Sequence, residues 1–459
     1  DWSSDVCSSD LGPYPVLATD ESRKLVFVQD VKVGAARPFN ITQVKRYYVP
    51  ETLAHSFMTE LEENVRKFGF RLSVDTYMTE ILKDDDPRAS SPEMAEAKRI
   101  EIKNLMDRGT FKIIKRRDLP PDANILPGRF VLAVKSADEG KARYKARYVI
   151  GGHKDRFKDL MVHSTTTLQP QSVRLLLALA AMFGFEVWTS DIKQAYLQSA
   201  EELSREIFIE NPVAEFELKP DECLQLIKPL YGLCESGDLW HQTMDKHHRE
   251  DLGMKPLRSD PALYVLVESH RLKGLAGGYV DDLLRAGDRK FRQLASKTKE
   301  KFEVAKDKGL PCTFTGFSLS KTRSGTFVLE QHQYLRKLEH LSLDATFSDF
   351  RSMRMRQAWL ANTRPDCLLE ISQLAQITKD VFEDSKREAI KRLNKAVQYA
   401  MTNRISIKVP KLAQDSLRII GFSDASFANN RDFSSQLGHL CFLGDRSEKR
   451  RVGKECRSR

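Results

Sequence analysis

Two adjacent aspartates, Asp281 and Asp282, lie inside an extended hydrophobic segment, and this pair limits what the chain can fold into. Aspartate is depleted in strands, and two like charges side by side repel each other. A strand pattern at 185–190 ends at a third aspartate, Asp191. If these segments meet in the fold, a divalent cation such as Mg²⁺, which takes hard oxygen ligands, offsets the repulsion. Taken alone, an Asp-Asp pair is also typical of a solvated turn or a helix cap.

The composition is that of a globular chain with a basic excess. Of its 459 residues, 41% are hydrophobic and 30% are charged, and 74 Lys and Arg against 64 Asp and Glu give a net charge of +10. The longest apolar run, 175–185, is far shorter than the roughly 20 residues of a membrane-spanning helix, so no membrane partner is expected. Seven cysteines stand singly, which is typical of reduced intracellular thiols. The basic excess favours a polyanionic partner such as nucleic acid.

The segment from 141 to 150 predicts a strand with one strongly basic face. Side chains alternate between the two faces of a strand, so four cations share one side and two tyrosines share the other. Two interpretations are open, a phosphate-binding stripe and a solvated edge strand whose charges keep it monomeric. The basic face of the strand has no acid, which favours phosphate binding by Lys141, Arg143, Lys145 and Arg147.

Strand patterns alternate with helical patterns, and the strands come in short antiparallel pairs, which indicates an α+β fold. Ser91 and Pro92 begin a helix that continues over 94–108 and stops at Gly109. Further helices are predicted at 171–183, 291–302 and 389–401, and further strands at 24–29, 130–134, 262–267 and 273–284. At about 100–200 residues per domain, the chain has room for two to four domains.

Six motifs follow one another between roughly Met94 and Ile377. They are RYKAR at 143–147, RLLLALA at 174–180, SDIKQAYL at 190–197, KPLYGL at 228–233 with Trp240, YVDD at 279–282, and ANTRPD at 361–366. In this order they resemble the hallmarks of the reverse transcriptases of copia-type LTR retrotransposons, which are parts of a pol polyprotein. Each motif alone is unspecific, whereas the ordered set is a specific signal.

The resemblance implies a right-hand polymerase fold (fingers, palm and thumb) and an RNA-directed DNA polymerase, a nucleotidyltransferase. It implies that Asp191, Asp281 and Asp282 are catalytic and hold two Mg²⁺ ions, with the backbone of Ile192 beside them and the triphosphate. The implied substrate-binding residues are Lys145 and Arg147 at the triphosphate, Tyr196 as a steric gate against a 2′-hydroxyl, and Tyr231 and Gly232 at the template base and nucleotide. The implied partners are an RNA template, a DNA primer and dNTPs, in an intracellular setting that is a cytoplasmic particle, the nucleus or both.

The same resemblance implies where the domains of the chain begin and end. Residues 91–340 are expected to form fingers and palm, 341–410 a helical thumb or connection, and 411–444 a truncated ribonuclease H-like start. That last piece keeps Asp424 and lacks the later carboxylates, so it is expected not to cleave RNA. Residues 12–50 are interpreted either as the C-terminal tail of an integrase or as a small β-module, and 51–90 as a linker. The ends, 1–11 and 445–459, resemble translated adapter sequence, with a genuine basic tail as the alternative.

Two segments depart from the family pattern: 234–240 is less basic than in many relatives, and 276–278 is less hydrophobic. His241, His247 and His248 are interpreted as a solvated helix face rather than a zinc site.

Two functions of different classes remain, an active polymerase and a catalytically inactive retroelement remnant that only binds nucleic acid. The intact aspartates favour the first, and the unusual ends and short nuclease segment favour the second.

Overall fold

The computed structural model divides into two units, Asp1–Ser73 and Val74–Arg459. It describes the backbones of five strands between residues 6 and 47, and then residues 79–82, 86–136, 142–161, 165–210, 212–427 and 435–445. The strands of the first unit are β1 (Val6–Ser9), β2 (Gly12–Asp20), β3 (Leu25–Gln29), β4 (Ala36–Asn40) and β5 (Lys45–Tyr47). They form one antiparallel sheet in the order β4-β3-β2-β1-β5, which confirms the strand predicted at 24–29.

The second unit begins with a short strand and a long helix, β6 (Thr79–Ile81) and α1 (Pro92–Asp107). The Ser91 hydroxyl caps α1 by accepting a hydrogen bond from the Met94 amide, and the helix ends before Gly109, as predicted. The strands β7 (Phe111–Lys115), β8 (Gly128–Ser136) and β9 (Ala142–Ile150) follow. β8 pairs with both β6 and β9, so the end of the segment predicted as a linker belongs to a sheet.

The next twelve elements include the six strands of an antiparallel sheet, here called the central sheet. In chain order they are α2 (Pro170–Phe183), β10 (Glu186–Ile192), β11 (Ile207–Ile209), β12 (Glu222–Leu226), α3 (Ser236–Lys246), β13 (Lys255–Pro256), β14 (Leu263–Glu268), β15 (Arg271–Tyr279), β16 (Asp282–Gly287), α4 (Arg289–Leu294), α5 (Lys297–Lys301) and β17 (Val304–Gly309). The order in the central sheet is β13-β14-β15-β16-β10-β17, while β11, β12 and β7 form a separate three-stranded sheet.

Helix α2 anchors the core on one face of the central sheet. Its Leu176 and Leu177 are buried in one apolar cluster with Leu275 of β15 and Leu284 of β16. Burying each leucine contributes roughly 1.5–3 kcal/mol. The glycine-rich stretch before the aspartates serves this packing, because a side chain at Gly277 would lie 2.5 Å from Leu168.

Two predicted elements are wrong in their boundaries. The strand predicted at 273–284 is interrupted by a turn at Val280 and Asp281, between Tyr279 and Asp282, because aspartate is unfavourable inside a strand. The helix predicted at 291–302 is two short helices, α4 and α5, separated by Ala295 and Ser296. The helices predicted at 171–183 and 389–401 are confirmed.

The remaining elements are β18 (Cys312–Phe314), β19 (Phe317–Lys321), β20 (Phe327–Glu330), α6 (Phe347–Ala358), α7 (Leu368–Ala375), α8 (Lys379–Asp384), α9 (Lys386–Thr402), β21 (Ile407–Val409), β22 (Arg418–Ser426) and β23 (Gln436–Gly444). The four helices share a core that includes Phe350, Phe382 and Leu393. β22 and β23 form a two-stranded hairpin in which Ile419 is 76% exposed and Phe442 49%.

The elements confirm the predicted α+β class. None of the helices in the described part of the chain is both long enough and apolar enough to cross a membrane.

Candidate active site

Asp191 and Asp282 face each other across two neighbouring strands of the central sheet. β10 and β16 are antiparallel, and their register pairs Asp191 directly with Asp282. Residues directly opposite each other in such a pair project from the same face, and like charges there are destabilising. Asp282 is only 8% exposed, so water screens the repulsion poorly. Two of the three predicted catalytic carboxylates are therefore brought together, at a cost that a cation would relieve.

Asp281 lies in the two-residue turn that joins β15 to β16. Tyr279 pairs with Asp282 at the base of this hairpin, which leaves Val280 and Asp281 as the loop. The Ile192 amide, at the end of β10, donates a 2.8 Å hydrogen bond to the Asp281 carbonyl. The backbone next to Asp191 is thus attached to the turn, and the whole predicted metal-binding set lies at one end of the central sheet.

A cation that the sequence did not single out lies opposite Asp191 on its other side. β10 also pairs with β17, and the register places Lys306 across from Asp191. Opposite charges at such positions stabilise a sheet by about 0.2–1 kcal/mol. Lys306 belongs to none of the motifs, so only the strand pairing reveals it.

The ligand chemistry of this strand end suits Mg²⁺, which prefers hard carboxylate oxygens. Within the described residues, however, no group of three or more His, Cys, Asp or Glu side chains is arranged to hold a metal ion. What the structure shows is a facing pair of carboxylates with a third in the adjoining turn. A metal site built from all three stays a prediction.

Tyr196, the predicted gate, lies in the 3₁₀ turn Ala195–Gln198 directly after β10. Its ring centroid is 4.9 Å from that of Tyr231, and the planes are inclined by 55°. Burial, assisted by the charge of Asp281, raises the pKa of Tyr196 to about 12, against the opposing effect of Arg147. The Tyr196 hydroxyl is therefore neutral at physiological pH, and it is close enough to Asp281 to respond to its charge.

Tyr231 and Gly232 are fixed against the end of β9. The Ile150 amide donates a 2.8 Å hydrogen bond to the Tyr231 carbonyl. Gly232 has φ +103° and approaches Ile150 so closely that a Cβ would lie 1.9 Å from its carbonyl oxygen. Only glycine satisfies both conditions, so this residue sets how closely the segment before α3 approaches β9.

Arg147, from the basic stripe on β9, contacts the ring of Tyr231. The Arg147 guanidinium carbon lies 5.0 Å from the Tyr231 ring centroid, within the range of a cation–π contact. Lys145 is partly buried, Arg143 is exposed, and Lys141 lies outside the described residues. β9 is also an edge strand, as the second interpretation of the stripe requires.

An acid from another element contacts β9, the strand that carries the stripe, which the strand pattern alone could not reveal. Glu101 of α1 accepts a 3.3 Å hydrogen bond from the Tyr148 amide on β9. Burial raises the pKa of Glu101, while Tyr148, Arg147 and Lys145 all oppose that rise. Glu101 is therefore a carboxylate neighbour of the two cations predicted to bind the triphosphate.

In the less basic segment at 234–240, the acid Glu235 takes part in a buried group of charged side chains. Glu235 precedes α3 and contacts Arg205 at 2.5 Å, and Arg205 also pairs with Asp155. All three side chains are nearly buried, so each charge needs the others. The acidic residue at 235 therefore has a structural partner.

The interpretation of His247 and His248 as a solvated face is wrong. Both are buried: His247 lies 2.7 Å from an Asp251 carboxylate oxygen, and the Nδ1 of His248 lies 2.7 Å from the Met244 carbonyl. Burial lowers the pKa of His248 to about 3, so it is neutral. His247 also contacts the Thr298 hydroxyl and His248 stacks on Tyr264, and these contacts with distant segments have no signal in the local sequence.

Asp424, the predicted remnant of a ribonuclease H site, is exposed on β22 and accepts a 2.9 Å hydrogen bond from the Ala425 amide. Asp432, the nearest further acid in the sequence, lies outside the described residues.

Comparison with known proteins gives one family match. Residues 109–349 match the family described as "Reverse transcriptase (RNA-dependent DNA polymerase)". Among curated proteins, the truncated transposon Ty1-A Gag-Pol polyprotein and the transposon Ty1-DR5 Gag-Pol polyprotein of Saccharomyces cerevisiae are each 27% identical over 166 residues, or 36% of this chain. The matched region spans 13% and 9% of the length of those two relatives.

Among solved structures, the foamy viral protease-reverse transcriptase in complex with double-stranded DNA is 10% identical, with a TM-score of 0.43 in one form and 0.42 in another. The first alignment covers 97% of this chain and 80% of the viral one, and the second covers 87% and 79%.

Proposed function

The chain belongs to the reverse transcriptase (RNA-dependent DNA polymerase) family, and from this premise we propose that it extends a DNA primer along an RNA template, as part of a copia-type retrotransposon polyprotein. One observation carries the proposal: Asp191 and Asp282 face each other in register across β10 and β16, with Asp281 in the adjoining turn. Paired carboxylates at a strand end are what metal-assisted nucleotidyl transfer needs.

The three aspartates would hold two Mg²⁺ ions, with the Ile192 backbone beside them. Magnesium bound there supplies activation of the primer 3′-hydroxyl and neutralisation of the leaving pyrophosphate. The chain's own contribution is position and charge, and no serine, cysteine or histidine nucleophile is required. The hydrogen bond between Ile192 and Asp281 keeps the carboxylates of the two strands in a fixed relation.

The residues beside the aspartates suit nucleotide selection and binding. Tyr196 would lie under the sugar and exclude a 2′-hydroxyl, and its packing against Tyr231 makes the gate rigid. Lys145 and Arg147 would bind the triphosphate, and Arg147 already contacts the Tyr231 ring. Tyr231 and Gly232 would contact the template base and the incoming nucleotide.

The domain assignments belong to the same proposal. Residues 91–340 would act as fingers and palm, 341–410 as thumb or connection, and 411–444 as an inactive ribonuclease H-like start around Asp424. The strands of 12–50 would be the end of an integrase, whose activity is DNA integration. A cytoplasmic particle, the nucleus or both are the proposed sites of action.

A nucleic-acid-binding remnant without catalysis is the second candidate. One experiment separates the two: a DNA primer annealed to an RNA template is incubated with the purified chain, dNTPs and Mg²⁺. Extension that stops when EDTA is added supports the polymerase. Binding of the template and primer without extension supports the remnant.

A further inference from the structure

The turn that carries Asp281 has a backbone conformation that its sequence does not favour. Val280 has φ +57°, in the left-handed region, and valine is β-branched, so the conformation is strained. Two-residue hairpin turns with positive φ at this position usually have glycine or asparagine there. Such strain persists only where the surrounding structure fixes the backbone.

Two hydrogen bonds hold the turn, and they come from different elements. The indole Nε1–H of Trp240, on α3, donates a 2.7 Å hydrogen bond to the Val280 carbonyl. The Ile192 amide, at the end of β10, donates a 2.8 Å hydrogen bond to the Asp281 carbonyl. Consecutive carbonyls of the turn are therefore fixed from two directions.

Trp240 is itself held in one orientation. It is 1% exposed, and its ring meets Phe302 edge to face, with centroids 5.4 Å apart. It packs in one cluster with Ile192 and Leu283, which flank the aspartates on β10 and β16. An indole N–H can only donate, so its buried hydrogen needs an acceptor, and the Val280 carbonyl is that acceptor.

We propose that Trp240 is a positioning residue for the polymerase reaction, which means that this inference depends on the proposed function. Its indole N–H holds the strained turn so that Asp281 and Asp282 are presented towards Asp191. A residue that only filled the core would act through its ring volume. Trp240 acts in addition through one hydrogen atom.

The first test removes the indole N–H donor of Trp240 and keeps an aromatic ring at that position. Trp240→Phe should lower kcat about tenfold, because a buried carbonyl loses its donor and the turn relaxes, and should leave the KM for dNTP within about twofold. The affinity for Mn²⁺, measured by electron paramagnetic resonance without dNTP, should fall at least about threefold. Trp188→Phe is the matched control, because Trp188 is also buried and packs in a different apolar cluster, against Phe291.

A second variant tests the strain directly. Val280→Gly relieves the conformational cost at positive φ, so the turn should depend less on its donor. In the Val280→Gly background, Trp240→Phe should therefore lower kcat by about threefold instead of tenfold, a coupling that a double-mutant cycle measures. Equal losses in both backgrounds, or a loss no larger than that of Trp188→Phe, would overturn the proposal.

A measurement on the wild-type protein covers the case in which Trp240→Phe does not fold. The indole ¹⁵N–¹H resonance of Trp240 should shift when Mg²⁺ is titrated in, while that of Trp188 should not. An unshifted Trp240 resonance in a protein that binds Mg²⁺ would contradict the positioning role. Wild-type protein that shows the shift and no primer extension would instead contradict the proposed function.

Discussion

The ring of Tyr196 packs on the ring of Tyr231, with centroids 4.9 Å apart, and the guanidinium of Arg147 lies 5.0 Å from the Tyr231 centroid. Tyr196 follows β10, Tyr231 precedes α3, and Arg147 belongs to β9. Three distant segments thus converge on one aromatic stack. The nucleotide-binding residues implied by the motifs are neighbours in space, and their roles can be tested one at a time.

Replacing the predicted gate should change which sugars are accepted. Tyr196→Val removes the ring that would occupy the space of a 2′-hydroxyl, so the preference for dNTP over rNTP, measured as a ratio of kcat/KM values, should fall at least about tenfold. Tyr196→Phe is the control, because it keeps the ring and should keep the preference. Unchanged discrimination in Tyr196→Val would mean that the gate lies elsewhere.

Removing Arg147 from the basic stripe should weaken nucleotide binding more than it weakens binding of the template-primer duplex. Arg147→Ala should raise the KM for dNTP about tenfold, since a hydrogen bond to a charged group contributes about 1.5–3 kcal/mol. Arg129→Ala, an exposed cation on the neighbouring strand β8, should leave this KM unchanged. If Arg147 instead binds phosphates of the duplex, its removal will weaken template-primer binding. The slope of the logarithm of the binding constant against the logarithm of the salt concentration will then fall in magnitude by about one.

The sequence predicted the strands and helices around the candidate site where the signal was local. Asp191 near the end of a strand could be placed from hydrophobic pattern and charge, and the helix at 389–401 from its apolar face, whereas the turn at Val280 and Asp281 was missed. The family match confirms the resemblance to reverse transcriptases that the ordered motifs indicated, and the Ty1 matches agree with the copia-type branch.

What the sequence could not reveal depends on contacts between distant segments. Lys306 lies beside Asp191 only because β17 pairs with β10, and Glu101 contacts the strand of the basic stripe only because α1 packs on β9. The strain at Val280 has no local signature either, since valine favours strands and the turn is imposed by its neighbours. Trp240 belongs to a motif, but its burial and its hydrogen bond to the turn are tertiary features.

The buried His248 should make stability depend on pH. Burial lowers its pKa to about 3 in the folded state, from about 6.5 in an unfolded chain. Between these values the unfolded chain binds a proton that the folded protein does not, so stability falls as the pH falls from about 6.5 towards 3, by up to about 1.4 kcal/mol per pH unit. His248→Phe should flatten the slope of unfolding free energy against pH between 4 and 6.

Denaturant unfolding at several pH values checks this slope. His153→Phe is the control, because His153 is exposed and its replacement should leave the slope as in the wild type. A slope that His248→Phe does not change would show that other groups cause the acid sensitivity.

The most direct test of the central claim is the rate of primer extension by Asp281→Asn on an RNA template with Mg²⁺, with template-primer affinity measured on the same protein. Asp288→Asn is the matched control, because Asp288 caps α4 by accepting a hydrogen bond from the Phe291 amide, and asparagine caps a helix equally well. We expect Asp281→Asn to abolish extension with binding within a few-fold of the wild type, and Asp288→Asn to retain both. Extension by Asp281→Asn at most of the wild-type rate would contradict the assignment of the aspartates as the catalytic, metal-binding set.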